Sequence, residues 1–235
     1  MEWALNDNGK KTNGTKKHSE SLAENAYHIL RNRIMQGAAQ PGEAMLEESL
    51  SANLGMSRTP IRTALTRLES EGLLVEGPDR TLRVPALDAK SIEDTFRARI
   101  TIESAVAGLA AERATDEQIE HLEHLMWDEE MAHRNRDEAL TGGLDRMFHT
   151  FLAEVADNSY FIEFSSRINA RASLMLSQSK TLGDAIIPAM AEHRKVVEAV
   201  KKRDAQGAKD AMETHLDNVI KRIIFTIDRN DEEPE

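Results

Sequence analysis

The 235-residue chain contains no cysteine, which excludes disulfides and thiolate metal sites and leaves only His, Asp and Glu as metal ligands. Aromatic residues are scarce at 4%, and an apolar fraction of 40% drawn largely from Ala, Leu and Ile favours helices packed by aliphatic side chains over a β-sandwich. There is no uninterrupted apolar run of about 18 residues, and the stretch from Met1 to Glu20 has no apolar core. Neither a transmembrane span nor a secretory signal is therefore expected. Together with the missing cysteine, this points to the cytoplasm.

The length suggests two domains. The expected fold is mainly α: an N-terminal winged helix-turn-helix over 20–85 and a C-terminal antiparallel all-α helical bundle over 86–230, with disordered tails at 1–19 and 231–235. Charge divides along the same line. Up to Ala86 there are 11 Lys and Arg against 11 Asp and Glu, whereas the rest has 19 basic against 30 acidic residues and carries the whole net charge of -11. A local arginine cluster in the first part can face phosphates while the second part repels them.

In the first part, Leu22, Ala26, Ile29, Leu30 and Ile34 recur at helical spacing, and a short second helix from Glu47 to Leu54 stops at Gly55. Ser57 can N-cap a third helix that buries Ile61, Ala64, Leu65 and Leu68. That helix turns Thr59, Arg62, Thr63 and Thr66 outward, with Arg58 at its shoulder and Arg67 on its flank. Arginine can grip a guanine edge or a phosphate, and threonine can bond phosphate or touch a thymine methyl. The runs Leu73–Val75 and Leu82–Val84, bracketing Gly77–Arg80, read as a β-hairpin wing. Singly, such arginines often only decorate a solvated face; the order helix, helix, Gly turn, basic helix, hairpin points to DNA.

The segment PGEAMLEESLSANLGMSRTPIRTALTRLESEGLL, Pro41 to Leu74, resembles the winged-helix signature of the GntR superfamily. The resemblance implies that Arg58, Thr59 and Arg62 contact operator bases and phosphates, with Thr63 beside them and Arg67 in support. It also puts Arg80 at a DNA-contacting wing tip, although the glycine usual after that arginine is Thr81 here.

Past Pro85 the periodicity predicts six helices, about 89–113, 115–134, 137–156, 158–180, 185–203 and 205–229, joined by short turns. Asp145 and His149, four apart, share a face with Leu152 and Ala156. His193 and His215 lie on apolar stripes 11 residues either side of Asp204, so an antiparallel hairpin sets their rings at one height. One carboxylate and three imidazoles suit Zn²⁺, Ni²⁺ or Mn²⁺. A buried histidine satisfied by a hydrogen bond is the plain alternative for each. His18, His28, His121, His124 and His133 lack such a pattern and read as solvated.

The segments LDRMFHTFLAEVADNSYF, AEHRKVVEAV and AKDAMETHL resemble the FCD effector domain of the FadR-type GntR branch, in its six-helix, VanR-like version. The resemblance implies a divalent metal on Asp145, His149, His193 and His215, with a small organic acid bound beside it. Arg99 matches an arginine that pairs with the acid's carboxylate, a solvated or linker-facing arginine being the other reading, and Arg171 is a second candidate. It further implies a homodimer that reads a pseudo-palindromic operator of double-stranded DNA as a repressor. Two rivals stand beside this: a metal-dependent enzyme, for which no separate base or nucleophile motif is present, and a regulator whose cluster holds no metal.

Overall fold

The computed structural model describes the backbone of residues 21–179 and 182–232 and the side chains of 21–179 and 187–227. The expected tail at 1–19, His18, and residues 233–235 lie outside the described residues.

The head begins with α1 (Leu22–Met35), started by the Ser21 hydroxyl, which accepts the Glu24 N–H. Next come α2 (Glu47–Leu54) and α3 (Arg58–Ser70), joined through Gly55 in the left-handed conformation at φ 63° that a side chain would resist. Ser57 occupies the N-cap position, but its hydroxyl makes no capping bond. The wing is shorter than expected: β1 (Val75–Glu76) pairs antiparallel with β2 (Leu82–Arg83). Leu73 and Leu74 do not join it because both their N–H groups are captured by the Leu68 carbonyl and their side chains are buried. A bridge from Ala44 to Arg83 lays the α1–α2 connection along the hairpin.

The bundle contains α4 (Ala89–Arg113), α5 (Asp116–Arg134), α6 (Glu138–Val155), α7 (Ser159–Gln178), α8 (Leu182–Lys201) and α9 (Ala205–Glu232). Side chains set the starts: Asp88 caps α4, Thr115 and Gln118 form a reciprocal capping box on α5, and Asp137 and Asn158 cap α6 and α7. α9 runs three residues past its expected end, into the segment expected to be a tail. Helix α4 packs along α9, and α8 and α9 form a hairpin. Phe96, Phe148, Leu122, Leu152, Val196 and Met212 fill the core between them. Among the described residues no helix is long and apolar enough to cross a membrane.

Head and bundle interlock. Leu174 of α7 is fully buried and belongs to the head's own core, the cluster that includes Ile34, Leu68 and Leu73. Close by, the Ser177 hydroxyl donates to the Met35 carbonyl at 2.7 Å, and Gly72 sits so tightly on α7 that a Cβ there would lie 3.0 Å from the Arg167 carbonyl.

Candidate nucleic-acid interface and metal centre

Helix α3 buries Ile61, Ala64, Leu65 and Leu68 and so turns Arg58, Thr59, Arg62, Thr63 and Arg67 to solvent. Each arginine of this face is held by an acid of the head. Arg62 donates to Glu47 of α2 at 2.7 and 2.8 Å, Arg58 lies 3.3 Å from Glu48, and Arg67 donates to Glu24 and Glu71. Pairs this exposed are weak, so phosphates can compete for them. Arg67 differs, because its guanidinium also stacks 3.6 Å over the Tyr27 ring and ties α3 to α1. The Thr63 hydroxyl donates to the Thr59 carbonyl. At the wing tip it is Arg80 that takes the left-handed conformation, φ 60°, while the Thr81 N–H is fixed by the Asp79 carboxylate. Thr81 therefore carries no backbone strain in place of glycine.

In the bundle, α6, α8 and α9 bring Asp145, His149, His193 and His215 together. The three imidazoles offer ring nitrogens within 4.8 Å of one another, with His193 Nε2 3.2 Å from His215 Nε2 and 3.7 Å from Asp145 Oδ1. The histidines are at most 1% exposed. Ligands at about 2.0–2.1 Å from a tetrahedral ion stand about 3.3 Å apart, so this spacing fits a divalent metal. Nε2 of His149 is buried without a hydrogen-bond partner among the described residues, as expected of a ligand atom kept for an ion.

Behind each ring stands a carboxylate. Nδ1 of His193 faces Glu129 at 3.3 Å, Nδ1 of His215 faces Glu192 at 2.9 Å, and Nδ1 of His149 approaches Glu103 to 2.5 Å, close in distance but poorly aligned for a hydrogen bond. Acids so placed hold the Nδ1–H tautomer and point Nε2 inward. They are anchored in turn: Arg99 donates to Glu103 at 2.7 Å, and Arg222 and Asn218 donate to Glu192. Burial opposes charge on Glu103, but Arg99 and His149 outweigh it and hold its pKa at about 2. Glu192 is held at about 2 against burial by His215, Arg222 and Asn218. Burial and the neighbouring His193 depress His215 to about 3, whereas for His193 the bond to Glu129 and the charge of Asp145 overcome burial and raise it. Of the two rings, His193 is therefore the one that takes a proton more readily, and across the short Nε2 contact His215 is the acceptor.

Arg99 lies beside the cluster, buried, with its guanidinium on Glu103. Arg171 points elsewhere: it donates to the Thr95 hydroxyl at 3.2 Å and lines a separate cleft with Gly72, Tyr160 and Phe164. Sequence reasoning missed Glu103, Glu129 and Glu192. Glu129 was legible, since it continues the apolar stripe Ile119, Leu122, Leu125 and Met126. His121, expected to be solvated, is exposed but lies edge-on to Phe151 at 4.5 Å.

Residues 22–84 match the family model described as bacterial regulatory proteins, gntR family, and residues 94–218 match that of the FCD domain. The chain belongs to the GntR regulators that carry an FCD domain. The HTH-type transcriptional regulator YdhC of Bacillus subtilis (strain 168) is 27% identical over 193 residues, 82% of this chain and 86% of that protein. The HTH-type transcriptional repressor RspR of Escherichia coli (strain K12) is 26% identical over 203 residues, 86% of this chain and 88% of that protein. In fold, E. coli McbR/YncC aligns with a TM-score of 0.70 at 21% identity, over 88% of this chain and 99% of that one. A GntR protein from Rhodococcus sp. RHA1 aligns at 0.69 and 20%, over 86% and 97%. This GntR protein is thus a DNA-binding transcriptional regulator, and its relatives and fold are those of regulators, not of enzymes.

Proposed function

We propose that this GntR protein is a cytoplasmic repressor that binds a pseudo-palindromic operator as a homodimer and responds to a small organic acid bound beside a divalent metal. The observation that carries the effector half is the convergence of three imidazoles, each backed at Nδ1 by a carboxylate, with Asp145 beside them. A core histidine that needs only a hydrogen bond does not require two others at ligand distance. Asp145, His149, His193 and His215 would hold Zn²⁺, Ni²⁺ or Mn²⁺, with Glu129 as a further donor in reach. Such an ion would supply a Lewis-acidic centre suited to a carboxylate. Arg99 supports the reading as a buried cation that holds Glu103, and through it His149, in place.

On the DNA side, α3 would enter the major groove with Arg58, Thr59 and Arg62 toward base edges and phosphates, and Arg80 would reach the backbone or minor groove from the wing. Two-fold symmetry of a dimer matches a two-fold operator with half-sites one helical turn apart. An acid that prefers one arrangement of the bundle shifts the populations of both arrangements, and operator affinity changes by the same coupling factor. Repression rests on RspR, a relative described as a repressor.

The test is metal analysis of purified protein, followed by fluorescence anisotropy on its own promoter region with a panel of organic acids. One metal per chain and an acid that weakens operator binding at least about fivefold are expected. A protein with no preference for that region over random duplex at moderate salt overturns the operator reading, and one that takes up no metal overturns the effector reading.

A further inference from the structure

The seam between head and bundle holds a cleft of about 260 Å³, walled by Arg31 and Met35 of α1, Gly143 and Arg146 of α6, and Ser173 and Leu176 of α7. At about 30 Å³ per water molecule, that space takes a small organic acid or a phosphate ion. Arg31 and Arg146 are half-buried in it. Among the described residues neither guanidinium has a hydrogen-bond or ion-pair partner, whereas most arginines of the chain do, from Arg33 on Glu43 to Arg222 on Glu192.

The acids in reach are otherwise engaged. Asp145, on the same wall, faces the three imidazoles and Arg99, and Glu71 accepts from Tyr27 and Arg67. Glu138 is exposed at the start of α6 and forms no ion pair with either arginine. The cleft is also kept open by sequence. Glycine is unfavourable inside a helix, yet Gly142 and Gly143 stand together in α6, and a Cβ on Gly143 would meet nothing within 4 Å. Two half-buried like charges that no acid pairs, beside a stretch of helix without side chains, call for a counter-anion.

We propose that this cleft binds a small oxyanion, a carboxylate or phosphate group, between Arg31 of the head and Arg146 of the bundle. The anion joins α1 to α6 across the seam that Leu174 and Ser177 already hold, so its occupancy biases how the head sits on the bundle. Its source is either a second acid group of the metal-bound effector or a separate ion. The site does not depend on the metal reading, because Arg31, Arg146 and Gly143 are not ligands.

Isothermal calorimetry on the full-length protein, metal-loaded and chelated, tests this with three probes: inorganic phosphate, succinate and acetate. Saturable phosphate binding that persists after chelation assigns the site to a separate ion. Succinate binding that needs the metal and exceeds acetate at least tenfold assigns it to a diacid effector. In either case Arg31→Gln and Arg146→Gln are each expected to weaken binding at least tenfold, and Gly143→Leu, which fills the cleft, to abolish it, with metal content unchanged. No saturable binding of phosphate or succinate overturns the proposal. So does binding that survives both arginine substitutions in proteins whose circular dichroism and metal content match the parent.

Discussion

Arg62 of the reading helix is clasped by Glu47 of the helix before it, through two donated bonds of 2.7 and 2.8 Å. Operator binding must share or break this pair. Arg62→Ala is expected to weaken operator binding roughly 10- to 100-fold, and Glu47→Gln to strengthen it by a few fold at most, because the pair is exposed. Anisotropy titrations at two salt concentrations check both; equal affinity for Arg62→Ala removes that residue from the interface.

The short contact between His193 and His215 predicts that metal binding expels a proton. With His193 raised and His215 held near 3, a proton taken up by the metal-free pair sits on His193, and a metal held by these rings would displace it. Calorimetric titration of Zn²⁺ into chelated protein, repeated in buffers of different ionisation enthalpy, is expected to report proton release. No buffer dependence would contradict this displacement.

Removing ligands and their backing acids should have graded effects. His193→Ala is expected to abolish stoichiometric metal, while Glu129→Gln, which keeps the shape but loses the carboxylate behind Nδ1, should weaken affinity by about 10- to 100-fold. Competition with a chromophoric chelator measures both. Full retention of metal by His193→Ala would show that the ligand set is wrong.

Acid should unfold the chelated protein in stages. His215 resists protonation down to about 3 in the fold but accepts it near 6.5 when unfolded, so its contribution to stability is lost as pH falls through that interval. His193 acts in the opposite sense: its contribution is present below 6.5, is lost as pH rises through its raised value, and partly offsets His215. Glu103 and Glu192, at about 2 against 4.5, add their loss below 4.5. Melting temperature is expected to decline gently from neutrality to about pH 5 and steeply below 4.5; a level profile to about pH 3 would contradict the buried pairs.

Phe148 is fully buried with its ring 4.4 Å from that of His193. Phe148→Ala is expected to cost roughly 3–5 kcal/mol of stability and to weaken metal affinity by freeing the His193 ring. Denaturant unfolding with and without metal measures both effects.

Much of this architecture was legible from periodicity and turn chemistry. The six bundle helices fall within a few residues of expectation, α4 at the expected bounds, because capping residues such as Asp88 and Thr115 mark their starts. The equal distance of His193 and His215 from Asp204 translated directly into facing rings, since a helical hairpin converts sequence symmetry into height. The backing acids were less legible. Glu129 and His193 are 64 positions apart, and only the packing of α5 on α8 shows that they meet. Arg171 is a second candidate for the effector's carboxylate in the sequence, yet it reaches Thr95, and the Leu68 carbonyl shortens the wing through a choice between two local bonding patterns. Nor does periodicity reveal that α7 serves two cores, because Leu174 is apolar at helical spacing whichever core it enters.

Leu174 also has a consequence for how the protein is made. The head is translated first, but one side chain of its core is encoded about a hundred codons later. On the ribosome its core therefore stays one side chain short until α7 emerges and completes it. A nascent or truncated chain that ends before α7 leaves this core unfinished, which makes it a natural target for chaperones and proteases.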